Sequence, residues 1–315
     1  MNENFVFDES NINRLVGSLG GGCALTVGSF DGVHIGHRRL LSALSAAASD
    51  LGVPSVVLTF PPCDSPKPSS ALLTQPAVKY RLLAENGASA AVELPYGKIK
   101  DFSASDFVNE WLIKRFKAKY VVCGDDFRFG SGRSGGAETL GSLLAEHGVE
   151  LKVIPPVFLN GEKVSSTRVR MLVSSGDICA ANEMLGRAYS FESVVVRGAG
   201  IAEKMGYPTA NMIFPQELAL PSPGVYAARF RFPGGDHPAV LNIGVKPTFP
   251  GNHCVICESH LFGFNGDLYG KAAEVRFLKR FRGEQKFESV AALEKQIALD
   301  TSAVCDYFKK ECNGQ

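Results

Sequence analysis

The feature that most limits the fold is a change of rhythm near Leu185-Gly-Arg187. Before it, short apolar runs alternate with stretches of helical spacing. Ala24–Val27 reads as a strand, and Leu40, Leu41, Leu44, Ala48 and Leu51 follow one helical face. Gly52 and Pro54 stop that helix, and Ser55–Phe60 returns as a buried strand. Ala90–Leu94, Tyr120–Cys123 and Leu151–Ile154 repeat the pattern. Between them a capping box at Ser103–Asp106 predicts a helix that turns Phe107, Trp111 and Phe116 to the sheet, and another helix is expected near Glu138–His147. Such repetition implies a mainly parallel sheet covered on both faces. After the change, Phe191–Arg197, Gly224–Phe232, Ala239–Ile243, Cys254–Leu261 and Tyr269–Arg282 read as strands between Gly, Pro and Asn turns, with one helix over Val290–Phe308. Short strands of this kind predict an antiparallel barrel or sandwich. Two domains are expected, 1–186 and 187–315, with Phe60–Ser70 as a long loop of the first.

Composition limits the partners. The 315 residues are 45% hydrophobic, enough for two cores. With 33 basic and 32 acidic residues the net charge is +1, without the basic excess of a nucleic-acid binder. Eight scattered cysteines in a chain this long read as reduced thiols rather than a disulfide framework. The opening MNENFVFDESNINRLV lacks a signal-peptide pattern, and no apolar run approaches the ~18 residues of a membrane span. A cytoplasmic protein acting on small molecules is expected, without nucleic acid, membrane or obligate protein partner.

The stretch GSFDGVHIGH, residues 28–37, lies between the first strong strand and its helix. Gly28 and Gly32 permit a tight turn, and Gly36 lets the backbone approach a ligand. A helix N-terminus here offers free N–H groups to a triphosphate. His34 and His37, three apart, are placed to donate hydrogen bonds to charge building on phosphate oxygens. Other readings of these letters fail. An aminoacyl-tRNA synthetase also carries a KMSK-type loop, and Glu203-Lys-Met-Gly206 lacks its Ser-Lys. Gly130–Gly135 matches GxGxxG, but a loop separates it from its strand and no acid follows about 20 residues on. No Walker A loop is present. His253-Cys-Val-Ile-Cys-Glu-Ser-His260 has zinc-like composition, yet a strand would point Cys254 and Cys257 to opposite faces.

Further motifs accompany the first. Gly124-Asp-Asp-Phe-Arg-Phe-Gly130 follows a strand and offers carboxylates, an Arg and two aromatics. Ser165-Ser-Thr-Arg-Val-Arg170 opens a helix with three hydroxyls and two guanidiniums. The second half contains Gly206-Tyr-Pro-Thr-Ala-Asn211, Asn242-Ile-Gly-Val-Lys-Pro-Thr-Phe249, Glu258-Ser-His-Leu261, Asp267-Leu-Tyr-Gly270 and Arg282-x-Glu284-x-Lys286-Phe287. Together and in this order they resemble the bacterial bifunctional riboflavin kinase/FAD synthetases over nearly the whole chain.

The resemblance implies an HxGH nucleotidyltransferase α/β domain with a Rossmann-like parallel sheet, then a flavokinase β-barrel with a C-terminal helix. It implies two reactions. Riboflavin's 5′-hydroxyl takes the γ-phosphoryl of ATP to give FMN, and FMN then attacks the α-phosphorus of another ATP to give FAD and pyrophosphate. By the same resemblance His34, His37 and Arg170 serve adenylyl transfer, while Ser165, Ser166 and Thr167 hold ATP phosphates. Gly28, Phe30 and Asp31 belong to that nucleotide site, and Asp126 and Phe127 border FMN. In the kinase half, Gly206, Pro208, Thr209 and Asn211 hold the nucleotide, Thr209 and Asn211 also Mg²⁺, and Glu258 is the general base.

Two stretches depart from the family pattern. Thr59-Phe-Pro-Pro-Cys-Asp64 lacks an acid and a histidine usual after the second strand. Gly198–Gly206 carries Ala202 and Glu203 where the kinase phosphate loop usually has Gly and Arg, and a carboxylate there would repel phosphate. The second departure opens an alternative, a FAD synthetase whose kinase half is impaired or only binds flavin. A different HxGH transferase and a flavin-sensing protein are the further rivals.

Overall fold

The computed structural model describes residues 5–62, 64, 71–198, 202, 205–249 and 252–312. The chain divides into two compact units, Met1–Ser166 and Thr167–Gln315. The first is built on strands β1 (Val6–Phe7), β2 (Cys23–Val27), β3 (Ser55–Thr59), β4 (Ala90–Glu93), β5 (Ala118–Gly124) and β6 (Glu150–Ile154). They lie in the order β1-β4-β3-β2-β5-β6, and every pairing is parallel. The helices are α1 (Ile12–Ser18), α2 (Ile35–Leu51), α3 (Pro76–Glu85), α4 (Tyr96–Ile99), α5 (Ala104–Asp106) and α6 (Ala137–Ala145).

Side-chain alternation sorts the strands into two cores. Leu25, Val56, Leu58, Val92 and Val121 enter one cluster with Trp111 and Phe116, while Ala24, Val57, Ala91 and Val122 enter another with Leu41 and Leu44 of α2. Residues buried on both faces explain the unbroken apolar strand runs. Gly52 ends α2 in the left-handed conformation, φ 64°, as expected of a glycine cap. The Ser103 hydroxyl accepts the Asp106 N–H at 3.0 Å and donates to its carboxylate at 2.7 Å. The helix it opens continues as a wider π-helical run over Phe107–Arg115, which helical periodicity did not foretell.

The strand order creates a crevice. From β2 the chain steps outward to β3 and β4, then returns to the other side of β2 for β5 and β6. Loops leaving β2 and β5 therefore diverge, and open α/β sheets bind ligands at such switch points. Both GSFDGVHIGH and GDDFRFG leave the carboxyl ends of those two strands. A two-residue ribbon, β7 (Phe158–Leu159) with β8 (Glu162–Lys163), follows the sheet.

The second unit holds most of α7 (Ser166–Ser175), α8 (Ile178–Leu185) and a closed barrel. Its strands are β9 (Tyr189–Val196), β10 (Ala210–Ile213), β11 (Gly224–Phe232), β12 (Gly235–Phe249), β13 (Asn252–Leu261) and β14 (Ala272–Gly283). The order is β10-β13-β12-β11-β14-β9, closed by an antiparallel β9–β10 pair. Two strand expectations are corrected. No strand was expected between Phe191–Arg197 and Gly224–Phe232, but the last two residues of GYPTAN start β10, and β12 runs far past Ile243 because β13 pairs with it along its length. Inside, Tyr226, Phe230, Leu241, Ile243, Cys257 and Phe277 are buried. Helix α9 (Val290–Cys312) packs Val304 and Phe308 on the barrel's outer surface. On β13, Cys257 is buried and Cys254 half-buried, so their strand positions differ in face. Among the described residues no helix is long and apolar enough to cross a membrane.

Candidate active sites

In the first unit, the loop after β2 is strained and heavily tied. Phe30 (φ 51°), Gly32 (φ 85°) and Val33 (φ 39°) all adopt left-handed backbone, which costs a bulky residue of order 1–3 kcal/mol. The surroundings impose it. Phe30 and Val33 are buried, and the Asp31 carboxylate accepts the Leu73 N–H at 2.9 and 3.0 Å and the Thr74 N–H at 3.2 Å. The Thr74 hydroxyl accepts the Gly32 N–H at 2.8 Å, and the Ser166 hydroxyl donates to the Asp31 carbonyl at 2.8 Å. Strain of this kind concentrates where a ligand is held.

That loop sets the histidine pair. Helix α2 begins at Ile35, inside the GSFDGVHIGH stretch, with His34 as its N-cap. The His34 Nδ1 accepts the His37 N–H at 3.2 Å, so this nitrogen is bare and Nε2 carries the proton. The two rings stack with centroids 3.6 Å apart and 12° between planes, and Phe30 lies 5.1 Å from His37. A Cβ on Gly36 would sit 3.2 Å from the His34 ring, so that glycine leaves room for the imidazole. Burial, and then the neighbouring His34, hold His37 well below the usual histidine value. Its Nδ1 is buried without a hydrogen-bond partner among the described residues.

Sequence reasoning missed Lys79. This α3 residue is 5% exposed and reaches the end of β3, donating to the Phe60 carbonyl at 3.1 Å and the Thr59 hydroxyl at 3.3 Å. Thr59 in turn donates to the Ser29 carbonyl at 3.2 Å. Desolvation lowers the Lys79 pKa to about 8, opposed by Glu93 and Asp31. A lysine within a helical run carries no sequence signal of burial. Cys63, part of the altered stretch after β3, lies outside the described residues.

The other sequence-expected residues are spread more widely. Asp126 is exposed, with Lys163 on β8 2.9 Å away. Phe127 stacks on Phe129 at 5.4 Å and packs against the core. Gly28 is half-buried, with a Cβ position 3.1 Å from the Phe30 ring. Ser165 precedes α7, Ser166 opens it, Thr167 is exposed and Arg170 half-buried.

In the second unit, strand register assembles a row across five strands. Glu258 of β13 faces Asn211 of β10 on one side and Asn242 of β12 on the other. Asn242 faces Val225 of β11, which faces Arg282 of β14. Register partners share a sheet face. Cys257 and Ser259, the positions between, are buried in the interior, so the row lies on the outer face. There, between the barrel and α9, is a cavity of about 260 Å³ lined by Thr209, Asn242, Glu258, His260 and Arg282 among others.

The loop at one end of that cavity is tightly made. Gly206 has φ 85°, and the Tyr207 N–H donates to the Ala202 carbonyl at 2.9 Å. The Pro208 carbonyl accepts from His260 Nδ1 at 2.9 Å, and Tyr207 packs edge-on to that ring at 5.4 Å. Asn211 is 4% exposed; its Nδ2 donates to the Thr209 carbonyl at 3.3 Å and hydroxyl at 3.4 Å, while its buried Oδ1 has no partner among the described residues. A Cβ on Gly198 would come within 2.4 Å of the Asn211 amide. Ala202 lines the cavity, whereas Glu203 and Lys204 lie outside the described residues.

The family models divide along the same lines. The FAD synthetase model matches residues 18–168 and the riboflavin kinase model residues 185–308. Bifunctional riboflavin kinase/FMN adenylyltransferase of Pseudomonas fluorescens is 35% identical over 90% of this chain and 92% of its own. The chain belongs to this bifunctional family. The Escherichia coli K12 relative of the same description is 33% identical over 91% of this chain and 93% of its own. A crystal structure described as a macrolide-efflux protein from Streptococcus pneumoniae shares the fold with TM-score 0.82 at 30% identity, covering 90% of this chain and 93% of that one. The family relationship extends across both halves, so a chain with only the first activity is not the reading it supports. Asn242, Arg282, Asp300 and His260 are among the cavity residues that sequence reasoning quoted within motifs or passed over.

Proposed function

We propose that the chain phosphorylates riboflavin in its second unit and adenylylates FMN in its first, with ATP as donor in both reactions. The observation that carries this is the coincidence of each family match with its own built site. One is the strained HxGH loop at the sheet's switch point; the other is the Glu258 row beneath α9.

In the first site FMN's phosphate attacks the α-phosphorus of ATP and pyrophosphate leaves. His34 and His37 donate N–H groups to the charge gathering on the phosphate oxygens, a preorganised stabilisation of the oxyanion-hole type. The buried Nδ1 of His37 supports this, because no described residue partners it and a ligand phosphate could. Gly28, Phe30 and Asp31 hold the loop's shape, Ser165, Ser166, Thr167 and Arg170 hold phosphate, and Asp126 and Phe127 border FMN. In the second site Glu258 takes the proton from the 5′-hydroxyl as it attacks the γ-phosphorus of ATP, and ADP leaves. Gly206 and Pro208 shape the nucleotide loop. Thr209 and Asn211 fit Mg²⁺, since the buried Oδ1 of Asn211 is a hard oxygen that has no partner among the described residues. The ion would neutralise phosphate charge. We place the functional boundary at 186/187, with α7 and α8 leading from one family match to the next.

The test supplies the purified chain with Mg-ATP and either riboflavin or FMN, then separates the flavins by chromatography. FAD from both substrates is expected. FAD from FMN alone would silence the second unit, and no FAD from either would overturn the whole reading.

A further inference from the structure

Neither proposed reaction uses Lys79, a cation that is only 5% exposed. Burying a charge is costly unless hydrogen bonds meet it, and a methionine would fill much the same space without that cost. What methionine cannot do is donate. Lys79 Nζ donates to the Phe60 carbonyl at 3.1 Å and the Thr59 hydroxyl at 3.3 Å, where β3 ends. Among the described residues, the charges that act on it are Asp31, on the loop after β2, and Glu93, at the end of β4. The Tyr80 ring of its own helix lies 4.9 Å away.

An ammonium has three donors and no lone pair, so the Thr59 hydroxyl must accept from Lys79. Its own proton is then committed to the Ser29 carbonyl, 3.2 Å away. That carbonyl belongs to the peptide entering Phe30, the first left-handed residue of the strained loop (φ 51°). The Phe30 ring lies 5.1 Å from His37, which stacks on His34. The segment leading into α3 grips the same loop again. The Leu73 and Thr74 N–H groups bond the Asp31 carboxylate, and the Thr74 hydroxyl accepts from Gly32. Lys79 adds the tie at the Phe30 peptide. A neutral amine, by contrast, carries a lone pair and can accept. The Thr59 proton would then turn to Nζ and leave the Ser29 carbonyl. The charge, rather than the bulk, of Lys79 keeps this tie pointing one way.

We propose that charged Lys79 is a positioning residue for adenylyl transfer, holding the Ser29–Phe30 peptide through Thr59 so that His34 and His37 stay aligned on the phosphate oxygens. It acts through the loop and touches no substrate. The inference rests on adenylyl transfer as the reaction of the first unit. Burial places the loss of the Lys79 charge at about pH 8, where His37 is already neutral.

The test follows two readouts in the full chain and its Lys79→Met and Lys79→Arg variants, from about pH 7 to 9.5. One is FAD formation from FMN; the other is the ring-proton NMR signals of His34 and His37, assigned among six histidines by single substitutions. In the parent, kcat/KM for ATP is expected to fall as pH rises through about 8, and the two ring signals to move over the same range. Lys79→Met should lower kcat at neutral pH about ten- to a hundredfold, the loss of one or two charge-assisted bonds, with KM for ATP within about threefold. Both pH dependences should vanish with it. Lys79→Arg should recover much of the rate and keep it to the alkaline end, because a guanidinium does not deprotonate. A parent whose kcat/KM and ring signals stay flat through pH 8 overturns the proposal, whether or not the variants fold. So does a folded Lys79→Met chain that keeps kcat within about twofold, or that keeps the parent's fall near pH 8. A parent whose ring signals follow Lys79 but which forms no FAD from FMN would sink the adenylyl-transfer reading and leave the hold on the loop standing.

Discussion

The two units build their sites in opposite ways. In the first, the histidine pair and the residues that shape its loop come from one continuous stretch: Phe30, Asp31, His34 and His37 lie within eight residues, launched by the parallel sheet at its switch point and tied down by Leu73, Thr74 and Ser166. In the second, Asn211, Glu258, Asn242 and Arg282 come from four strands and Asp300 from a helix, joined by lateral register. A loop site keeps its chemistry local and stores its cost as backbone strain. A lateral site stores nothing locally, but a slip of one residue in any strand would turn its group to the wrong face.

Substitutions can break that contrast, one site at a time. The largest effect is expected from Glu258→Gln, which removes the proposed base and should slow FMN formation from riboflavin by about 10²–10⁴-fold. FAD formation from supplied FMN should not change, and chromatography of both reactions reads the difference. A parallel loss of both activities would mean that the units are not chemically independent.

His37→Phe comes next. The ring can keep its stack on His34 and its tilted contact with Phe30 but loses its N–H donor, so FAD formation should fall about 10²–10³-fold while FMN formation persists. The same variant tests the depressed pKa. Below pH 6.5 the unfolded chain protonates His37 and the folded chain resists, so the parent loses stability with falling pH. His37→Phe should lose less, as urea melts at pH 7 and pH 5.5 would record.

Lys79 offers a smaller and slower effect. Its pKa is about 8 when folded against 10.5 unfolded. Between those values the unfolded chain holds a proton that the folded chain has released, so stability rises with pH across that window. The gain relative to Lys79→Met should approach about 3 kcal/mol by pH 10.5 and be flat below pH 8. Denaturant melts of both chains over pH 7–10.5 check this, and a parallel pH dependence would show that Lys79 is not buried as a strained charge. Least of all, Asp126→Asn should alter stability by less than about 1 kcal/mol, because its ion pair with Lys163 is exposed. A fall in FAD formation with unchanged melting would then speak for its place beside FMN.

Legibility followed the same division. GSFDGVHIGH announced strand, turn and helix because Gly, Asp and His have local conformational and chemical meaning, and the capping box at Ser103 did the same. Yet the closeness of Gly36 to the His34 ring, the burial of Phe30 and the burial of Lys79 had no local mark. In the barrel, the motif containing Asn242 and the tail beginning at Arg282 were visible as strings, but nothing in either string says that they share a row. β10 was hidden because four residues ending a turn carry too little alternation to read as a strand.

By itself, then, the amino-acid order determined the two architectures and the chemistry of the first loop. Hydrophobic period and turn residues act over a few neighbours, and both were present. The tertiary structure alone decided which face Glu258 takes, that Asn211 and Asn242 flank it, and that Asp300 meets Arg282. Those relations depend on hydrogen-bond register between strands far apart in the chain, and on where α9 packs. No short stretch of sequence contains either.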